Sequence, residues 1–296
     1  MDRKTALKLM GSGLAATFMA GFAPITHAAI LRDRAKEKKR LVFYFTATGN
    51  SLFVAKQFSD NPLSIPQELK KEKLIYEADE IGFVFPNYCA TAPKIVRQFL
   101  EKGTFKAPYI FSVITYGAHY MSVADWWNSF AKEHGVVHNY IQPIIMVDIA
   151  LTFFDMVEEM AMDKKVDENL AKILEEVGSH KNSIVEVQEF LPEHVLKGLQ
   201  GMLYVPAEEH FELRKDRCIE CLTCAKVCPH NNFSIGDNGL QFAGECEFCH
   251  ACIQNCPQKA LTIKPARPGM PGERNPEARY RNPNISLNEI IKSNRQ

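Results

Sequence analysis

Two short stretches decide most of what this chain can become. "CIECLTCAKVCP" (218–229) and "CEFCHACIQNCP" (246–257) share one spacing, C-x2-C-x2-C-x3-C-P. The chain carries nine cysteines, and only Cys89 lies outside these runs. A disulfide framework spreads its cysteines at longer spacings through a small secreted domain. Cysteines two or three residues apart, crowded into one segment, suit a metal site instead. Zinc also uses C-x2-C pairs. It takes four ligands per site, however, and has no use for third cysteines and prolines repeated in register.

This segment resembles the two-cluster bacterial ferredoxins, whose cysteine run has the same spacing. The resemblance implies two [4Fe–4S] clusters with crossed ligation. Cys218, Cys221 and Cys224 hold one together with Cys256; Cys246, Cys249 and Cys252 hold the other together with Cys228. Pro229 and Pro257 fix the turn after each fourth cysteine and remove one N–H donor. The remaining backbone N–H groups can bond cluster sulfurs and help set the potential. His230 and His250 read as exposed loop residues, since neither cluster is short of a thiolate. A domain confined to residues 211–265 has little core, so the clusters hold it folded. The repeat predicts a pseudo-symmetric α+β domain.

The chain before it has a different texture. "LVFYF" (41–45), "IGFVF" (81–85), "YIFSVI" (109–114) and "YIQPIIMV" (140–147) are apolar runs of the kind buried on both faces of a parallel sheet. "LSI" (63–65) supplies a further strand. "SLFVAKQFSD", "APKIVRQFLEKG" and "SVADWWNSFAKEHG" place apolar residues at helical spacing between them, with Trp126 and Trp127 as packing residues. Such alternation predicts a three-layer α/β domain, with ligands beyond the carboxyl ends of the strands.

"TATGNS" (46–51) falls at that place. Gly49 allows a tight turn. Backbone N–H groups from Thr48 to Ser51 can form an anion-binding concavity, reinforced by the positive end of the next helix. Hydroxyls of Thr46, Thr48 and Ser51 and the Asn50 amide add donors. The same residues also suit a plain helix cap. No lysine is present, which separates the loop from that of nucleoside triphosphatases. The residues resemble the flavodoxin phosphate loop. The resemblance implies bound FMN and a doubly wound, parallel five-stranded sheet in the order 2-1-3-4-5. It also implies flavin contacts from "PNYCATAP" (86–93), through Asn87 and Tyr88, and from "TYGAHY" (115–120), through Thr115, Tyr116 and Gly117. His119 lies in the latter loop. Cys89 reads as an inert thiol, because nothing around it in sequence is electropositive.

Residues 1–29 have the layout of an export signal of twin-arginine type, with Lys4 in place of the second arginine. Left uncleaved, the segment would attach the chain to a membrane; cleaved, it sends a folded protein to the periplasm or cell envelope. Residues 30–40 form a charged linker. The α/β domain is expected over 41–190, a bridge over 191–210, the cluster domain over 211–265 and a basic, flexible tail over 266–296; counted from Lys264 to the end, seven Lys/Arg face three Glu. Over the whole chain 35 Lys+Arg balance 35 Asp+Glu, which argues against a nucleic-acid binder.

From about 40 to 265 the chain resembles prokaryotic flavodoxin–ferredoxin fusion proteins. This implies electron transfer between two clusters and an FMN, with redox proteins as partners. Two other readings stand beside it: an FMN-dependent reductase of a small substrate such as a quinone, and a cluster-only ferredoxin with an empty flavodoxin-like docking domain. No nicotinamide-binding fingerprint is present. The family often has a Met-Pro-Asn-Tyr-like segment after the fifth strand; here "MVDIALTFFDM" (146–156) stands instead.

Overall fold

Continuous apolar runs need cover on both faces, and the larger domain provides it. The structure is a computed structural model that describes residues 39–187, 191–203, 206–265 and 272–296. The expected export signal and nearly all of the charged linker lie outside the described residues. Six strands form one parallel sheet: β1 (Arg40–Tyr44), β2 (Leu63–Ser64), β4 (Glu80–Pro86), β6 (Tyr109–Tyr116), β7 (Tyr140–Ile145) and β8 (Ser183–Ile184), in the order β2-β1-β4-β6-β7-β8. The first five follow the expected 2-1-3-4-5 order of a flavodoxin-like domain. The short β8 pairs with β7 and extends the sheet to six. Helices α1 (Asn50–Phe58), α2 (Ile65–Glu68), α3 (Lys94–Lys102), α4 (Val123–Glu133), α5 (Met156–Ala161) and α6 (Val166–Gly178) complete this domain.

β3 (Ile75–Glu77) and β5 (Thr104–Lys106) form a separate parallel ribbon. Each buries only its middle residue, Tyr76 or Phe105. Those two rings stack at 5.4 Å and close over Phe43, Phe83 and Phe99. Within the sheet, Gly82 is required by close approach, because a Cβ there would lie 2.4 Å from the Phe111 ring. On α3, Ile95, Val96, Phe99 and Leu100 are buried, so its apolar stripe faces the sheet. Trp127 of α4 is fully buried and donates from its ring N–H to Ser112 Oγ, which also pairs with His138 Nε2 at 2.8 Å. Burial pushes His138 down to about 3, so it stays neutral in the core.

The C-terminal part begins with α7 (Glu193–Met202) and α8 (Ala207–His210). β9 (Phe211–Leu213) then pairs antiparallel with β12 (Leu261–Ile263), and β10 (Phe233–Gly236) forms a hairpin with β11 (Gly239–Phe242). Short helices α9 (Thr223–Val227) and α10 (Ala251–Gln254) each grow out of one cysteine run. The two runs repeat in backbone as well as in sequence. Glu220 and Phe248, Leu222 and His250, and Asn231 and Lys259 occupy matching positions, and all six are left-handed at φ between 52° and 58°. Non-glycine residues rarely adopt that conformation, and its recurrence marks a functional constraint.

Residues 272–296 do not form the expected flexible tail. Tyr280, Ile285 and Ile290 are buried, and Leu287–Asn294 form helix α11 with a capping box between Ser286 and Glu289. Two of the basic residues there are paired, Arg279 with Glu273 and Arg274 with Glu158. Net charge hid these pairs, and the buried apolar residues act with hydrogen bonds from Tyr280, Asn282 and Asn294 to hold the segment. No helix among the described residues is long and apolar enough to cross a membrane.

Candidate functional site

The eight clustered cysteines line two cavities. Cys218, Cys221, Cys224 and Cys256 face one, with Leu213, Leu240 and Leu261 around them. Cys228, Cys246, Cys249 and Cys252 face the other, beside Phe211 and Phe233. Each set thus draws three cysteines from one run and one from the other. Among the described residues, no three His, Cys, Asp or Glu side chains converge closely enough for a single metal ion; these thiols surround a space instead.

Several features of the two cavities fit iron–sulfur clusters. Backbone N–H groups point at the sulfurs: Phe248 to Cys246 at 3.3 Å, Asn232 to Cys228 at 3.5 Å and Ala260 to Cys256 at 3.3 Å. Phe248 is one of the left-handed residues, and backbone turns of that kind can present N–H groups to negative charge. Burial pushes the Cys224 and Cys246 thiols up to about 12, and those of Cys249 and Cys252 well above the ordinary range. Thiolates in such surroundings need a cation to compensate them. Cys221 is exposed, and although burial raises its thiol, the Thr223 hydroxyl, nearby backbone N–H groups and Lys226 together outweigh that and lower it. The first cavity is therefore the one nearer solvent, and the second lies inside.

The histidines depart from the sequence reading. His250 is buried, and its Nδ1 lies 3.0 Å from Ile149 O of the α/β domain. His230 is largely covered and pairs with the buried Glu247 at 2.7 Å. Both serve packing between parts that sequence shows only separately. Glu247 also accepts the Ile95 N–H at the start of α3.

The carboxyl ends of β1, β4, β6 and β7 open into a cleft of about 420 Å³. That size lies in the range of small-molecule sites, roughly 300–1,000 Å³. Thr46, Thr48, Asn50 and Ser51 line it after β1; Asn87, Tyr88 and Cys89 after β4; Thr115, Tyr116, Gly117 and His119 after β6; and Asp148 after β7. Leu199 and Leu203 close one side, and Phe248 and His250 of the cysteine-rich domain form another. The cleft thus shares a wall with the cavity of Cys246, Cys249 and Cys252.

Gly49 makes the turn at φ 102° and donates its N–H to Thr46 Oγ1 at 3.0 Å. No side chain caps α1, so its first N–H groups have no side-chain acceptor. Asn50 is committed elsewhere. Its Nδ2 donates to Val147 O, and its Oδ1 accepts from Tyr280 OH at 2.7 Å and Asn282 Nδ2 at 3.2 Å. Ser51 Oγ shares a hydrogen bond with Thr115 Oγ1 at 2.9 Å. Further braces reach the loop backbone: Asn282 N–H to Thr48 O, Asn294 Nδ2 to Thr46 O and Asn255 Nδ2 to Ala47 O. Tyr280, Asn282, Asn294 and Asn255 had no visible link to this loop in sequence. Behind the turn, a Cβ on Gly49 would lie 2.9 Å from Ile285 Cβ. Gly49→Ala should cost about 1–2 kcal/mol for the left-handed backbone alone, with the contact against Ile285 added. Urea unfolding of the variant against the parent checks this.

Asn87 ties two loops, donating to His119 O at 3.1 Å and accepting from Ala90 N–H at 2.9 Å. The Tyr88 hydroxyl is buried with no hydrogen-bond partner, in the field of Cys249, Glu247 and Cys246. A buried phenol without a partner is costly. Tyr116 meets the Tyr120 ring edge-on at 5.3 Å. Gly117 O accepts from Lys164 Nζ at 3.4 Å, and Asp148 fills the space that a side chain at 117 would need. Cys89 is pushed up to about 11 by burial and by Asp148.

A model of the 4Fe-4S binding domain matches residues 211–234. A ferredoxin of Methanothermococcus thermolithotrophicus is 38% identical over 53 residues, covering 17% of this chain and 88% of that protein. An uncharacterized ferredoxin of Methanocaldococcus jannaschii is 34% identical over 59 residues, 18% of this chain and 77% of its own. The NAD(P)H-quinone oxidoreductase subunit I of Gloeobacter violaceus is 24% identical over 124 residues, 32% of this chain; the match spans only 58% of that subunit. A solved Bacteroides uniformis chain assigned as a flavoprotein aligns with 46% of this chain and 97% of its own, at 16% identity and a TM-score of 0.30. At that score the superposition carries no argument, and the α/β assignment rests on strand order and parallel pairing.

Proposed function

Because the chain belongs to the ferredoxin family through its cysteine-rich domain, we propose that it transfers electrons between two [4Fe–4S] clusters and an FMN held in the cleft of the α/β domain. The carrying observation is the shared wall. Phe248 and His250 line the flavin-sized cleft and alternate in sequence with Cys249, which faces the inner cluster cavity. The exposed Cys221 puts the other cavity at the surface, where a redox protein would dock. This gives an order: partner, outer cluster, inner cluster, cleft.

Thr46, Thr48 and Ser51, with the uncapped start of α1, would hold the phosphate. Asn50 keeps the loop in shape from behind. Tyr88 and Tyr116 would flank the ring. FMN supplies the ability to store one or two electrons; the chain's own residues bind, orient and shield it. The apolar wall of Phe153, Phe154, Leu199 and Leu203 beside the cleft favours one second reading, reduction of a small apolar substrate such as a quinone. Anaerobic purification followed by extraction tests the main reading: about eight irons and one FMN per chain are expected. Iron without FMN after reconstitution would leave a cluster-only ferredoxin.

A further inference from the structure

The cleft contains one carboxyl group with no assigned task. Asp148 follows β7, in a segment where this chain departs from the fusion proteins it resembles, and what remains exposed of it lines the cleft. Its Oδ1 accepts from Ala150 N–H at 2.9 Å. A Cβ on Gly117 would sit 2.1 Å from its Oδ2, so the loop after β6 packs directly on the carboxyl. The nearest cation is already engaged: Lys164 Nζ pairs with Glu159 at 2.9 Å, and Glu159 in turn accepts the Asp148 N–H. Glu159 and Lys164 are the charged groups acting on Asp148 from the elements around it, and Asp148 in turn raises the Cys89 thiol.

We propose that Asp148 is the proton-holding group of the cleft and protonates the bound flavin ring as electrons reach it from the inner cluster. This rests on FMN occupying the cleft. A cluster changes charge without taking a proton, whereas a flavin that stores two electrons must gain at least one. Two electrons arrive singly from the inner cluster, which is refilled by a reduced partner protein through the outer one. The O–H bond of Asp148 breaks and an N–H bond forms on the ring. The carboxylate then takes a proton from solvent at the cleft mouth. Burial, with Glu159 adding to it, raises the Asp148 carboxyl above its ordinary value of 3.8 against the opposing N–H groups of Ala150 and Ala118 and the charge of Lys164. Asp148 therefore keeps its proton to higher pH than a solvated carboxyl, and the step should slow as pH rises through that raised value.

The test uses the full holoprotein, reduced anaerobically with dithionite in a stopped-flow instrument, with flavin and cluster bleaching read separately. In Asp148→Asn, flavin bleaching should slow at least 10-fold while cluster bleaching is unchanged. The solvent deuterium effect and the fall in rate with rising pH should both disappear. Asp148→Glu keeps a carboxyl and should retain both signatures. A merely structural role would lower FMN content but leave the isotope effect on the bound fraction. Unchanged bleaching in Asp148→Asn, or loss of both signatures in an FMN-loaded Asp148→Glu, overturns the proposal. A wild-type protein that releases no FMN overturns the cleft reading itself, and the proposal with it; extraction separates that case from the others.

Discussion

Cys249→Ala is expected to remove the inner cluster and bring the iron content to about half or less of the roughly eight atoms that two [4Fe–4S] clusters hold. Cys249 is buried and faces the same cavity as Cys228, Cys246 and Cys252. The effect should not stop at one cluster. Cys256, which faces the outer cavity, lies on the same run just beyond α10. Loss of the inner cluster frees that run and weakens the outer one. The apolar core around them is small: Phe211, Val227, Phe233, Leu240, Ile253, Leu261 and Ile263 are its main buried members. A core of that size does not hold a domain without staples, so the variant should also lose near-ultraviolet circular dichroism from this region. Cys89→Ala is the control, since Cys89 faces the other cleft. Iron unchanged in Cys249→Ala would refute the ligand set.

A chain ending at Ala278 should be severely destabilised and should lose the ordered form of the 46–51 loop. The missing residues include Tyr280, Ile285 and Ile290, all buried. Each apolar side chain of that kind contributes on the order of 1.5–3 kcal/mol. Together they approach the whole stability of an ordinary domain. The loop loses its braces as well: Tyr280 and Asn282 on Asn50, Asn282 on Thr48, and Asn294 on Thr46. Urea unfolding and FMN titration of the shortened chain measure the two effects. Stability and FMN affinity both equal to the full chain would restore the reading of these residues as a flexible tail.

The sheet was legible in sequence because strands buried on both faces leave continuous apolar runs. "IGFVF" foretold β4, and "YIFSVI" foretold β6, to within a residue or two at each end. The ribbon of β3 and β5 was not legible, since each strand buries a single residue and its partner lies far along the chain. The 46–51 loop was visible as a motif, but the work of Asn50 was not. Its partners Tyr280 and Asn282 come from a segment whose composition pointed to solvent. His250 was read as exposed for the same kind of reason: its cover comes from Ile149 and its neighbours in the other domain. Asp148 carried no local signal at all. Its character arises from Gly117 packing on it and from Glu159 taking the available lysine, contacts that only the fold creates.

The central claim is that clusters and flavin form one electron path within one chain. The most direct measurement is a stepwise anaerobic reduction of protein whose iron and FMN have been quantified, followed by absorbance and electron paramagnetic resonance. The account predicts that electrons entering through the clusters appear on the flavin at a rate independent of protein concentration. Clusters that reduce fully while bound FMN stays oxidised, or a transfer rate that rises with protein concentration, would contradict it.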